Sequence, residues 1–552
     1  MNPPAPPPEP SATLTPAVAG GVTGATAGPV ADVPTGHPQR WVILPVLCLS
    51  LFLVVVDNTI VNVALPTLSR ELGATTSQLQ WIVDAYSLVF AGLLLACGSL
   101  GDRYGRKGTL QVGLVLFAGT SVLASFATTA PQLIAARAAM GVGAALVFPA
   151  TLAILTNVFT DPTERAKAIG VWSAVSGLAV ALGPVTGGWL LEHFAWGSIF
   201  LVNLPIVAVA LLLGHRFIPK TRDPDAGRLD PLGLVTSIAG IVLLVYTVIE
   251  APKHGWTSTE TIAGFVGAAV LIVGFVLWEL RRRDPMLDVR VFRNARFSAA
   301  SLSVAVAFFG LFGFIFLITS YFQVVRGYST LSAGLHTLPF AFAAAVAAPL
   351  SARLALRLGT KAVVAAGLLS MSIGFAWAST LTADTPYWGP VVGQMLLLGA
   401  GLTMTTAPAT EAILGSLPKE KAGVGSAVND TTRELGGTLG VAVVGSVFSS
   451  VYGPELVQKL AGLPIPAPAL EIARSSVQGA VAVAERAPEA GRPLILDAAR
   501  ASFLDGMTAG IRVAAVMTLV GAVAALIWLP ARAVSPDHPD VPDDLAVDGA
   551  AR

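Results

Sequence analysis

The sequence predicts an all-α polytopic membrane protein: about fourteen transmembrane helices, in two six-helix pseudo-symmetric bundles plus two inserted helices. Three observations predict it. Of 552 residues, 54% are hydrophobic and only 12% charged, with a mean hydropathy of +0.72; a soluble domain carries about 25% charge. The apolar residues gather into runs of about 20, the length a helix needs to cross roughly 30 Å of hydrocarbon. Lys and Arg, finally, concentrate in alternate connections between those runs.

In chain order the runs lie near 41–65, 81–100, 109–128, 132–156, 166–190, 197–216, 231–250 and 261–280. They continue near 298–322, 333–352, 361–381, 387–411, 424–450 and 507–530. Alternate loops carry Arg103/Arg106/Lys107, Arg165/Lys167, Arg216/Lys220/Arg222/Arg228, Arg281/Arg282/Arg283/Arg290/Arg293/Arg296, Arg353/Arg357/Lys361 and Lys419/Lys421. The intervening short loops hold only Arg70, Lys253 and Arg326. Cations collect on the cytoplasmic side, so both termini are expected in the cytoplasm of a protein of the cell inner (plasma) membrane. Residues 1–39, rich in Pro, Ala and Gly and without a signal-peptide pattern, read as a disordered cytoplasmic tail. An N-terminal bundle is expected over 40–216, two linker helices over 217–297 and a C-terminal bundle over 298–530. The last contains a long extracellular loop, 451–506, and an acidic cytoplasmic tail, 531–552, follows it. Cys48 and Cys97 fall inside apolar runs and read as packing residues. The net charge of +1 says nothing about nucleic acid, since the cations matter by position and not by sum; no nucleic-acid partner is expected, and a monomer among membrane lipids is.

The most conspicuous turn is Gly101-Asp102-Arg103-Tyr104-Gly105-Arg106-Lys107. Its glycines let the backbone reverse, and its cations mark the inside. A phosphate-binding loop is excluded by spacing and by the flanking spans. The turn has an echo in Leu356-Arg357-Leu358-Gly359-Thr360-Lys361, which keeps Arg, Gly and Lys but not Asp. If the two halves are repeats, these turns hold matching places and the seventh and eighth spans are the insertion.

Four stretches together resemble the major facilitator superfamily: Asp57-Asn58-Thr59-Ile60-Val61-Asn62-Val63-Ala64-Leu65-Pro66, the Gly101–Lys107 turn, Arg137 with Gly141 and Gly143, and Gly183-Pro184-Val185-Thr186-Gly187-Gly188. More narrowly they resemble its fourteen-span drug:proton antiporters, the EmrB/QacA-like multidrug exporters. The resemblance covers nearly all of residues 40–530. It implies two bundles rocking about a central cavity, with Gly101, Asp102, Arg103, Gly105, Arg106 and Lys107 as a gating loop that latches the inward-closed state. Gly183, Pro184, Gly187 and Gly188, with Gly177 upstream, are then the antiporter motif that helps seal the cavity; Ala179 stands where the family has Gly. Trp196, Phe200, Asn203 and Pro205 resemble a sixth-span signature in which Gly197 replaces the usual Arg.

Ionisable groups inside spans are costly and mark function. Asp57 lies about 13 Å from the outer end of its span, and Asp84 and Arg137 about 9 Å from theirs, at 1.5 Å per residue. The three share a level at which a carboxylate and a guanidinium can neutralise each other. One carboxylate is then uncompensated, which suits proton coupling; a structural ion pair is the plainer alternative. Asp57 is favoured, because Asn58 and Asn62 make its helix face polar, with Asp84 close behind. In the second half Asp430, Arg433 and Glu434 have the i, i+3 and i, i+4 spacing of self-pairing groups, or else line the cavity. The expected activity is proton-coupled export of hydrophobic or amphipathic small molecules or antibiotics by alternating access. It uses no cofactor or metal, only the proton gradient; export of one endogenous metabolite or lipid is the alternative. No His-Glu-x-x-His, nucleotide-binding loop or Gly-x-Ser-x-Gly elbow supports an enzyme.

Overall fold

Fourteen helices long and apolar enough to cross a bilayer dominate the computed structural model, which describes residues 37–222, 230–282, 285–417 and 422–530. The expectations for the two tails, and for Arg228, Arg283, Lys419 and Lys421, lie outside the described residues, apart from positions 37–39. The first spans are α1 (Arg40–Leu72), α2 (Thr76–Tyr104), α3 (Arg106–Ser125), α4 (Ala130–Val158) and α5 (Pro162–His193), with α6 (Ser198–Leu201) and α7 (Asn203–Phe217) forming the sixth. The inserted pair is α8 (Pro231–His254) and α9 (Thr259–Arg281). The ninth span is α10 (Ala295–Ser320) extended by a π turn, and the tenth joins α11 (Thr330–Leu335) to α12 (Leu338–Leu358). Then come α13 (Thr360–Ala378), α14 (Val392–Leu414), α15 (Ala422–Lys459), the short α16 (Ala467–Ser475) and α17 (Val477–Arg486), and α18 (Arg492–Trp528).

Every apolar run of the sequence is one of these spans, but the helices overrun the runs. At 38 residues, α15 is far longer than the hydrocarbon requires, because helical hydrogen bonding continues into the polar interface. That overrun corrects the expected 451–506 loop. Helix α15 reaches Lys459 and α18 starts at Arg492, and α16 and α17 occupy the interval. Tyr452 Oη ties the interval down by donating to the carbonyls of Ala473 and Ser476, at 3.0 and 3.2 Å.

Local chemistry sets the reversals. Between α1 and α2 the chain turns in three residues: Gly73 closes α1 in the left-handed region (φ +62°), and Thr75 and Gln78 form a reciprocal capping box. Gly105 and Gly359 both sit at positive φ (+115° and +85°) and both donate N–H to the carbonyl four residues back. The two basic turns, α2–α3 and α12–α13, therefore share a backbone geometry as well as a pattern. Cys48 and Cys97 are buried free thiols.

The first six spans pack chiefly on one another, as do the last six, and the two sets meet along two seams, α2 with α15 and α5 with α11. Small residues permit the closest approaches. A Cβ added at Gly183 would run into Thr59 of α1, and one at Gly187 into Ile60 and Val63. Gly188 lies against the backbone of Thr330 and Leu331, and Gly334 against Pro184. Gly177 is the exception among the motif glycines: it is exposed and faces open space, so it makes no close approach. Gly183→Val should therefore overpack the α1–α5 contact at a cost of about 1–3 kcal/mol. Thermal unfolding in detergent should show a lowered midpoint for Gly183→Val and an unchanged one for Gly177→Val.

Candidate functional site

Asp57 and Arg137 meet in the first bundle. Both side chains are fully buried, and Arg137 Nη1 lies 2.5 Å from Asp57 Oδ2. The other carboxylate oxygen accepts from Asn203 Nδ2 at 2.9 Å, and Asn203 also donates to Ser121 Oγ at 3.2 Å. Arg137 Nε donates to the Ile82 carbonyl at 3.1 Å, and the guanidinium stands 4.2 Å from the ring centroid of Tyr86. Tyr86 Oη in turn donates to the Val54 carbonyl at 3.1 Å. One charge-neutral knot thus joins α1, α2, α3, α4 and α7. Removing either charge would leave the other bare and fully buried.

Asp84 is at the expected depth but outside that knot. It is fully buried, and neither carboxylate oxygen has a hydrogen-bond partner among the described residues. Its helix face carries Gln80 one turn outward and Ser87 one turn inward. Gln80 donates to the Val441 and Ala442 carbonyls of α15, at 3.2 and 2.9 Å, and Ser87 Oγ lies 3.5 Å from Asn58 Oδ1 of α1. The side of α2 that bears Asp84 thus faces both α1 and the second bundle.

The polar residues of α15 divide their contacts. Arg433 lies 3.6 Å from Asp430 and 4.7 Å from the ring centroid of Phe308, so the i, i+3 pairing does form. Glu434 instead reaches across to the first bundle, where Asn58 Nδ2 is 3.5 Å from its Oε2. Asn62 turns back on its own helix, donating to the Asn58 carbonyl at 3.2 Å. Arg433 keeps 34% of its side-chain surface exposed, which puts it on an opening between the bundles.

The bonds between the bundles are one-sided. Among the described residues they include Thr319 Oγ1 to the Asn62 carbonyl (2.9 Å), Gln323 Nε2 to Val63 (2.8 Å), Thr330 Oγ1 to Gly188 (3.0 Å) and Thr76 Oγ1 to Ser475 (3.0 Å). With the Gln80 and Asn58 contacts, these lie level with Asn58 or farther from the Gly101–Lys107 turn. Among the described residues the turn bonds only within its half: Arg106 Nε to Asp102 Oδ1 at 2.7 Å, Lys107 Nζ to the His215 carbonyl at 2.7 Å, and Arg106 N to Thr221 O at 3.0 Å. Among the described residues, then, the bundles are bonded at the far end and parted at the turn end.

The protein-family model described as Major Facilitator Superfamily matches residues 47–441. The chain belongs to the major facilitator superfamily. Superfamily relatives with known names include the multidrug efflux pump LfrA of Mycolicibacterium smegmatis, 37% identical over 489 residues, which are 88% of this chain and 96% of that protein. The methyl viologen resistance protein SmvA of Salmonella typhimurium is 37% identical over 88% of this chain and 97% of its own length. The tetracenomycin C resistance and export protein of Streptomyces glaucescens is 33% identical, with 91% and 93% covered. Among solved structures, a bacterial homolog of the human lysosomal transporter Spinster, inward-facing and unoccupied, superposes with a TM-score of 0.63 at 19% identity, covering 90% of this chain and 99% of that one. The inward-open xylose transporter XylE of E. coli gives 0.54 at 14% identity, with 89% and 96% covered. The last two show the superfamily fold. Membership makes this a transporter, not an enzyme, and a multi-pass membrane protein.

Sequence reading missed three residues of the site, Tyr86, Ser87 and Gln80, and the role of Asn203. Asn203 stood in a recognisable sixth-span pattern, yet nothing in that pattern says that it touches Asp57. Breaking the knot provides a test. Asp57→Asn or Arg137→Gln alone should destabilise the protein by about 3–5 kcal/mol, because each leaves an uncompensated buried charge. The double variant should recover much of that loss, and thermal unfolding of all three in detergent would measure the coupling.

Proposed function

We propose that this protein is a proton-coupled antiporter that exports hydrophobic or amphipathic drug-like molecules by alternating access. Asp84 is the observation that carries the coupling. A buried carboxylate with neither cation nor donor beside it is costly while charged, and taking up a proton removes that cost. Asp57 is already compensated by Arg137 and Asn203, so its part is to hold the knot against which α2 is positioned. The geometry therefore moves the preferred proton carrier from Asp57 to Asp84. Ser87, Asn58 and Glu434 supply the polar step between Asp84 and the inward opening.

Loop charges support a cytoplasmic turn end and cytoplasmic termini; on that orientation the parted end is the inward one. Protonation of Asp84 from outside accompanies drug release there, and its deprotonation toward the cytoplasm resets the carrier for a new substrate. The names of LfrA and SmvA support several or cationic substrates, and Asp430 and Glu434 at the opening suit a cationic group. The tetracenomycin C exporter, named for one compound, favours the second reading, a carrier dedicated to a single metabolite. We take the transporter to act as a monomer.

A drug-susceptibility panel in expressing cells, with and without a proton uncoupler, separates the two readings. Broad, uncoupler-sensitive resistance supports multidrug efflux; no resistance, with a single exported metabolite, supports the second reading. Asp84→Asn should cut pH-gradient-driven efflux at least tenfold in proteoliposomes while substrate exchange across the membrane, which needs no proton, persists. An unchanged response to the gradient would remove Asp84 from the mechanism. Asp102→Ala should lower turnover with little change in substrate affinity, because the turn serves the inward-closed state and lies at the other end of α2 from Asp84; unaltered turnover would reduce it to a topology signal.

A further inference from the structure

Each bundle holds an arginine above an aromatic ring and beside a carboxylate, but the two arrangements are not equally tight. Arg137 is fully buried, 2.5 Å from Asp57 and 4.2 Å from the ring centroid of Tyr86, and its Nε is bonded to a carbonyl. Arg433 of α15 repeats the pattern over Phe308 of α10, at 4.7 Å, and beside Asp430. Here every contact is slack. Nη1 stops 3.6 Å from Asp430 Oδ1, beyond hydrogen-bonding distance. Nε has no partner among the described residues. A third of the side chain, 34%, stays exposed, whereas Arg137 exposes none.

The surroundings of Arg433 suit a cation with an aromatic body. Phe312 stands one turn along α10 from Phe308, with ring centroids 6.2 Å apart, so two rings lie on one stretch of that helix. Asp430 and Glu434 are one turn apart on α15, and the one hydrogen bond to Glu434 among the described residues is the 3.5 Å contact from Asn58. Two carboxylates face one guanidinium, so the group carries an unbalanced negative charge when all three are ionised. A stacked cation and a solvent-reached ion pair are each weak, and Arg433 has no further bond to lose on leaving. Its long stem can carry the charged head into water at the opening. Arg137 has no such freedom, being bonded on several sides and shut away from solvent.

We infer that Arg433 is a resident cation, holding the seat of a cationic substrate and setting the selectivity for it. An arriving aromatic cation takes the ring face of Phe308 and the carboxylate of Asp430, and the guanidinium swings out into the opening. One cation leaves as another enters, so the carboxylates are compensated in the empty and the loaded carrier alike. Apparent affinity falls by the fraction of time that the seat is free, which keeps the substrate releasable. A neutral molecule cannot stand in for the guanidinium, so the exchange discriminates by charge. The inference rests on the efflux reading for a substrate that carries positive charge.

Equilibrium binding to the purified full chain in detergent, at one pH and without a proton gradient, tests it. The probes are tetraphenylphosphonium, an aromatic cation, and triphenylphosphine oxide, a neutral molecule with the same kind of rings. Arg433→Gln should tighten tetraphenylphosphonium at least fivefold and leave triphenylphosphine oxide within twofold. Arg433→Lys keeps the charge without the planar face and should fall between the wild type and Arg433→Gln. Phe308→Leu, added to Arg433→Gln, should take back at least half of the gain. A second measurement needs no variant: saturating tetraphenylphosphonium should at least double the rate at which phenylglyoxal modifies Arg433 in the wild-type protein, read by peptide mass spectrometry. Modification that is unchanged or slowed, or cation binding that Arg433→Gln leaves unchanged or weakens, overturns the resident-cation role and leaves the efflux reading standing. If neither the wild type nor any variant binds tetraphenylphosphonium, the role and the cationic-substrate reading fall together.

Discussion

Asp57 and Arg137 are both fully buried where they meet, and the first bundle is organised around that fact. A lone guanidinium in hydrocarbon is too costly to keep, so Arg137 is met by three partners, although its Nη2 has none among the described residues. A carboxylate takes its charge, a carbonyl takes Nε, and the face of Tyr86 covers its plane. Each partner comes from a different helix, and Asn203 adds another by holding the far oxygen of Asp57. The ion pair therefore fixes the relative rotation of five helices at once. A buried pair of this kind is weak evidence for extra stability; what it does here is tie together faces of helices that are far apart in the chain. It is also the fixed reference against which a bare carboxylate one helix away, Asp84, gains meaning.

The second constraint is steric. The seal at the outer end relies on backbone meeting backbone, at Gly188 with Leu331 and at Gly334 with Pro184, and it is completed by hydroxyl and amide side chains donating to carbonyls across the gap. Few of these bonds involve charge, so a rocking motion can exchange them for bonds elsewhere without exposing an ion to lipid. The inner turns, by contrast, hold their charges within one bundle. Asp102 with Arg106, and Lys107 with His215, are satisfied whether or not the bundles approach. Helix α8 adds an asymmetry that twofold repetition alone would not give, since its Val245, Val248 and Ile249 pack with Leu88 of α2 and Ala442 of α15 over the seam between them.

Much of this was legible in the sequence because the membrane makes it so. A span must be about 20 apolar residues long, and each such run is a helix here. Depth along a helix follows from residue count, so Asp57, Asp84 and Arg137 could be set on one level. Rotation about the helix axis does not follow from a count. The count therefore left open which carboxylate meets Arg137, and the assembled bundle gives the answer: Asp57, with Asp84 left bare. Likewise the spacing of Asp430, Arg433 and Glu434 allowed all three to pair locally, whereas Glu434 turns to Asn58 across the interface. The 451–506 stretch misled because helices continue past the apolar run that signals them, and polar helix ends carry no hydropathy signal.

Alone, then, the sequence determined the number of spans, their order, the position of the basic turns and the family. These are one-dimensional properties, set by the thickness of hydrocarbon and by the cost of placing charge in it. Only the tertiary structure decided the partners: Asn203 on Asp57, Tyr86 beneath Arg137, Gln80 on α15, and α8 over the seam between α2 and α15. Asn203 and Asp57 are 146 positions apart, and no local pattern records a contact at that distance. Which faces meet depends on how whole helices cross, and that is settled only when all of them pack together.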